Sequence, residues 1–341
     1  MSDKSYYYAW GHTAQGLKSF TESNLVNIEN IFVLNNQSAT IKTEVIRKLI
    51  NQYEDTCDIE IIKSLDGNEF LDGVIIREKS IAVIAHPIPE VENGRVIDLE
   101  HETLDIEELL AKKNEYSTTA YKAFDNGLKI HDDLEEIYID EMDFAKADQV
   151  ASKYINKLIT SSSTNEGEGY TYRRLFGTNT KDGVVNVVPE LMESVSKAYF
   201  IKGRAGTGKS TFMKKIAQAC TDQGYDVELY HCSFDSNSID MVLVREMDFC
   251  IFDSTDPHEF FPERAGDEII DLYEELVTPG TDEKYATEIE KLNKAYKSYM
   301  KQGIEHLKEA GIYQSQVEEK FKDVDESDIN KIAEHILNQI I

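Results

Sequence analysis

Nine consecutive residues hold the densest chemistry in the chain: Gly203, Arg204, Ala205, Gly206, Thr207, Gly208, Lys209, Ser210 and Thr211. The first eight satisfy the phosphate-loop pattern G-x-x-x-x-G-K-[ST]. Glycines at 203, 206 and 208 carry no Cβ, so consecutive backbone N–H groups can turn inward and surround a phosphate. A helix starting at Lys209 would add the positive end of its dipole. Lys209 would then reach the β- and γ-phosphates of a nucleotide, and the Ser210 hydroxyl would ligate the accompanying Mg2+. The flanks suit the motif: the apolar run at 198–201 reads as a short buried strand, and Phe212, Met213, Ile216, Ala217 and Cys220 recur at helical spacing behind the loop.

Such a loop needs a carboxylate partner for the metal, typically at the end of an adjacent buried strand. Phe249, Cys250, Ile251 and Phe252 followed by Asp253 supply that pattern, which makes Asp253 the expected Walker B residue. Ser254 stands where many motor ATPases carry a water-aligning Glu, so fast hydrolysis is not indicated. Asp256 and His258 follow the strand end, where open α/β sheets meet their ligands. Either is a candidate to position a water or an acceptor hydroxyl, although Asp-x-Thr-Asp-Pro also suits a plain turn. Asp235 and Asn237 face the same region and read more simply as an Asx turn. Arg173, Arg174, Arg204 and Arg264 are further candidates for phosphate contact, unranked by sequence.

The elements that must position these residues are written twice. Ile31 aligns with Ala198, Lys42 with Lys209 and Thr43 with Ser210; further on, Arg77 aligns with Arg245, and Tyr138 with Tyr313, with one short insertion between. The fold class expected is α/β: two tandem P-loop NTPase-like domains, each a largely parallel sheet with helices on both faces and a helical tail. Their expected bounds are 1–160 and 171–341, joined by a Ser-, Thr- and Gly-rich linker at 161–170. In the second copy strands are expected near 173–176, 198–201, 227–230, 241–244 and 249–252, and helices at 267–276 and from 282 to about 310. The tail stripe of Tyr285, Ile289, Leu292, Tyr296 and Tyr299 reads as a packing face. The first copy is expected to be degenerate. Asn36, Ala39 and Ile41 replace the loop glycines, and Ala85 replaces Asp253.

A net charge of −28 repels polyanions and argues against nucleic acid as a partner. No apolar run approaches a membrane span and the start lacks a secretion signal, so a cytoplasmic location is expected. Cys57, Cys220, Cys232 and Cys250 lack C-x-x-C spacing and read as free thiols.

With GRAGTGKST at 203–211, SIDMVLVRE at 238–246 and DSTDPH at 253–258, the chain resembles a family of bacterial tandem P-loop proteins. The family is described as ATP-binding or ATPase-like, and the resemblance implies nucleotide binding in the second half. The first half departs from the family pattern, which would otherwise imply two sites. The expected function is thus ATP (or another NTP) and Mg2+ binding at the second repeat, with slow hydrolysis or a nucleotide-gated switch and intramolecular pairing of the repeats. A kinase and a non-catalytic nucleotide-binding scaffold are the alternatives.

Overall fold

The computed structural model describes residues 3–86, 94–98, 105–159 and 167–339. Most of the linker expected at 161–170, residues 161–166, lies outside the described residues.

The first half runs β1 (Lys4–Tyr7), β2 (Trp10–Thr13), β3 (Gly16–Ser19), α1 (Thr21–Asn24), β4 (Asn30–Asn35) and α2 (Ala39–Tyr53). It continues with β5 (Ile59–Lys63), β6 (Leu71–Ile76), β7 (Ile81–Ile84), β8 (Arg95–Asp98), α3 (Glu107–Ile139) and α4 (Phe144–Leu158). The second half repeats the plan: β9 (Thr171–Leu175), β10 (Gly177–Thr180), β11 (Gly183–Asn186), α5 (Val188–Glu193), β12 (Lys197–Lys202) and α6 (Lys209–Asp222). Then follow β13 (Val227–His231), β14 (Ile239–Val244), β15 (Phe249–Asp253), β16 (Glu268–Asp271), α7 (Leu272–Leu276), α8 (Thr281–Lys284), α9 (Ala286–Lys320) and α10 (Glu326–Asn338).

Two six-stranded sheets result, ordered β1-β5-β6-β7-β4-β8 and β9-β13-β14-β15-β12-β16, so the repeat holds strand for strand. Both sheets are mixed, yet largely parallel as expected: five strands of each run the same way and one is reversed. β14 runs antiparallel to both β13 and β15, as β6 does to β5 and β7. The cause is the connection: a single 3-10 turn joins β14 to β15, too short for a crossover, so the pair must be a hairpin. Asp248 ends that turn at φ 57° and Ser80 ends its counterpart at φ 55°. Residues 268–271, expected as helix, form the edge strand β16, paired parallel to β12.

One core lies between the two sheets. Tyr7, Tyr8, Ile62 and Ile84 of the first half pack with Leu175, Phe200, Tyr230 and Phe252 of the second. Tyr8 and Leu175, equivalent positions in the repeat, exchange backbone hydrogen bonds of 2.9 Å in each direction. Arg174 is buried beside them, with Nη2 on Glu60 and Nη1 on Glu228, each at 2.8 Å, and its guanidinium 3.9 Å above the Tyr7 ring.

The outer faces are covered crosswise. α4, from the first half, packs through Val150, Ala151 and Tyr154 onto α6 and the second sheet, while Ile329 and Ile336 of α10 pack with α2 on the first. The long helices α3 and α9 lie antiparallel against each other: Tyr116 stacks near Tyr313, and His131 lies near Tyr296. They approach so closely at Gly303 that a Cβ there would come within 2.2 Å of the Phe124 ring. The expected tyrosine stripe of α9 is thus a packing face, with Tyr296 against α3 and Phe234. Among the described residues no helix is long and apolar enough to cross a membrane.

Candidate active site

β12 is buried at every interior position and delivers the chain to Gly203 at its carboxyl end, beside the end of β15 with which it pairs in parallel. The loop then turns through two left-handed residues, Gly206 at φ 71° and Gly208 at φ 79°, before α6 starts at Lys209. Non-glycine residues would be strained at both. Thr207 stiffens the loop from within, its Oγ1 donating to the Arg204 carbonyl at 2.9 Å. Lys209 Nζ donates to the same carbonyl at 2.7 Å and stands 3.6 Å from Asp253 Oδ2. Ser210 Oγ accepts the Ile239 N–H at 2.9 Å, which ties the head of α6 to β14 and leaves its own proton and a second lone pair.

The loop therefore meets Asp253 as the sequence requires, and Asp253 Oδ1 accepts a 2.6 Å bond from Thr255 Oγ1. Two acidic neighbours were not foreseen. Asp240, at the start of β14, is almost wholly buried; burial first, then the Asp253 charge, push its carboxyl up to about 8. A carboxylate oxygen from Asp240, one from Asp253 and a ring nitrogen of His258 lie within 4.8 Å of one another. Glu135 comes from α3 in the other half. Its carboxylate lies beside the Gly206 N–H and 3.6 Å from His131 Nδ1, and its backbone carbonyl lies so near that a Cβ on Gly206 would come within 2.4 Å of the oxygen. Burial raises the Glu135 pKa, with Lys209 and the Gly206 N–H opposing the rise. Gly206 is thus required twice, by its φ and by the approach of α3.

No protein-family model, curated protein or solved structure matches this chain.

The remaining expected residues divide. His258 joins the Asp253 cluster, packed edge-on against Phe176 at 4.9 Å. Asp256 does not: it is exposed on the rim and pairs with Lys297 of α9 at 2.9 Å. Asp235 forms the Asx turn, accepting from the Asn237 N–H at 3.1 Å and from Ser238 Oγ at 2.7 Å. Arg174 is committed to the core between the sheets, and Arg264 to Asp267 and two backbone carbonyls. Arg204 pairs with Asp282 over the Tyr273 ring at the mouth of the cleft. All four cysteines are free thiols.

The equivalent place in the first half is closed. α2 begins at Ala39, upstream of Lys42, so helix takes up the positions that Gly206, Thr207 and Gly208 hold in the second half. Lys42 Nζ is buried and donates to the Ala85 carbonyl at 3.0 Å. Glu318 of α9 caps the helix, accepting from Ser38 Oγ at 2.6 Å, Ala39 N at 2.7 Å and Thr40 N at 3.1 Å.

Asp240 was within reach of the sequence, since it lies inside SIDMVLVRE and matches Asp72 in the repeat register. Glu135 and Glu318 carry no such signal, being single acids in long acidic helices.

Proposed function

We propose that the chain binds a nucleoside triphosphate with Mg2+ through the loop of its second half, and that binding gates the contact between the halves while hydrolysis is slow. One observation carries this reading: the phosphate loop of one half is turned onto a carboxylate from the other. A loop whose Gly206 N–H already faces an anion fits a phosphate there, and a phosphate must displace Glu135 to bind. The ligand then discriminates between two arrangements of α3, which is what a switch requires.

The roles follow from the residues. Backbone N–H groups of 206–209 orient the phosphates, Lys209 shifts from the Arg204 carbonyl to their oxygens, and Ser210 with Asp253 would hold the metal. Bound there, Mg2+ neutralises phosphate charge. Ser254 aligns no water: it is fully buried and its Oγ donates to the Phe260 carbonyl at 2.7 Å. Slow turnover is the consequence, and the paired halves act as one unit in a cytosolic setting where ATP and Mg2+ are at hand.

A kinase is the second reading, favoured by the size of the cleft. At about 1420 Å³ it exceeds the roughly 300–1,000 Å³ typical of a single small-ligand site and leaves room for an acceptor near His258. A nucleotide-binding scaffold without turnover is the third. Phosphate release from ATP, measured with and without a panel of acceptor alcohols and amines, separates them. Slow Mg2+-dependent release that no acceptor accelerates supports the switch, acceptor-dependent transfer supports the kinase, and a nucleotide-induced thermal shift without turnover leaves the scaffold. Absence of any thermal shift with nucleotide and Mg2+ overturns all three.

A further inference from the structure

Asp240, Asp253 and His258 sit together at a cost that invites a ligand. β14 and β15 are antiparallel with Met241 opposite Phe252, so Asp240 and Asp253, one position beyond, emerge on the same face. Two carboxyls so placed cannot both stay ionised without a counter-ion, and Asp240 is 94% buried from solvent that would screen it. Lys209, near Asp253, offsets at most one of these charges and is also held by the Arg204 carbonyl. A second observation is independent of the carboxylates: Nε2 of His258 is buried and, among the described residues, has no hydrogen-bond partner. An orphaned imidazole nitrogen beside paired carboxylates is what a metal would satisfy.

We propose that Asp240, Asp253 and His258 form a divalent-cation site that fills before nucleotide binds and that prefers a first-row transition metal to Mg2+. The preference comes from the donor set, since imidazole suits ions such as Fe2+, Ni2+ and Zn2+, whereas Mg2+ favours an all-oxygen shell; Mn2+, which accepts the carboxylates, serves as the paramagnetic probe. The first half provides an internal contrast: Asp72 stands at the Asp240 position, but Ala85 removes the second carboxylate. The other nearby group of donors, His131, Asp132 and Glu135, lies along one helix with Glu135 engaged by Gly206, and supports no second site.

The test is a Mn2+ titration of the full chain without nucleotide, followed by electron paramagnetic resonance. One tightly bound Mn2+ per chain is expected, with nitrogen coupling from the imidazole in the echo modulation. Asp240→Asn and His258→Gln should each weaken binding at least about tenfold, since loss of even an outer-shell partner costs about 10–100-fold. Lys209→Met should retain the ion. No stoichiometric Mn2+ in the absence of nucleotide, or bound Mn2+ without nitrogen coupling in the unaltered protein, overturns the site, and the second readout decides even if a variant fails to fold. A chain that holds Mn2+ through His258 yet ignores nucleotide would support this site and sink the nucleotide reading, so the two are separable.

Discussion

At the heads of α2 and α6 a carboxylate from a long helix of the opposite half meets a helix N-terminus, but the two contacts differ in kind. Glu318 is held by the Ser38 hydroxyl and the N–H groups of Ala39 and Thr40, and Gln314 Nε2 donates to it at 2.6 Å. Gln314 in turn receives Lys113 Nζ at 2.6 Å, which also reaches Asp66 at 2.8 Å. A built-in anion thus completes the first site through a network with every main partner supplied from within the chain. Glu135, by contrast, faces the Gly206 N–H across a loop that keeps its glycines and its lysine. One scaffold has been used twice, once with its anion sealed in and once with an anion beside an open glycine loop, which a phosphate would replace under the proposed function.

The largest effect that would break this contrast is on nucleotide affinity. Lys209→Ala is expected to cost on the order of a hundredfold, the value of a charged hydrogen bond to phosphate, while Lys42→Ala costs nothing. Equal losses in calorimetry would mean that the first half still binds. Next in size, Asp253→Asn should weaken binding about tenfold in Mg2+ and little in EDTA, because the carboxylate acts through the metal. Parallel losses in both titrations would make Asp253 structural.

The two glutamates sharpen the comparison directly. Glu135→Ala should tighten nucleotide binding severalfold, since a competing anion is removed. Glu318→Ala should create no new binding but lower stability by about 1–3 kcal/mol, the cost of leaving capped donors unsatisfied. Urea denaturation beside calorimetry distinguishes these outcomes, and tighter binding in Glu318→Ala would show that its site is openable too.

The smallest effect concerns pH. His231, at the end of β13, is buried, with Nδ1 against the Ser236 carbonyl at 2.8 Å and Nε2 against Arg173 at 3.1 Å; burial lowers its pKa to about 4. Because the folded value lies below the unfolded one of about 6.5, its contribution is complete above that pH and is lost as pH falls toward 4. Urea midpoints should drop across that window, and less so in His231→Gln. A midpoint equally pH-dependent in the variant would exclude His231 as a source.

The parts of this account legible in the sequence were those in which residue type dictates backbone or chemistry. Glycine spacing revealed the loop, four apolar residues before an acid revealed Asp253, and the constant register revealed the repeat. The reversal of β14 was not legible, because its apolar run reads the same either way, and its hairpin turn is closed by Asp248 in a left-handed conformation rather than by a telltale glycine. β16 is brief, and its four residues begin with Glu268 and end with Asp271, so it passed for helix. The amphipathic pattern of α4 and α10 announces a buried stripe without naming the sheet that buries it. That is why the crosswise covering, and with it Glu135 over the loop, emerges only from the structure.

The central claim is that one half takes a nucleotide and the other has closed its site with its own glutamate. Isothermal titration of the full chain with a non-hydrolysable ATP analogue and Mg2+ tests it most directly. The expected result is one analogue bound per chain, with affinity lowered on the order of a hundredfold by Lys209→Ala and unchanged by Lys42→Ala. Two bound per chain, or none, would contradict it.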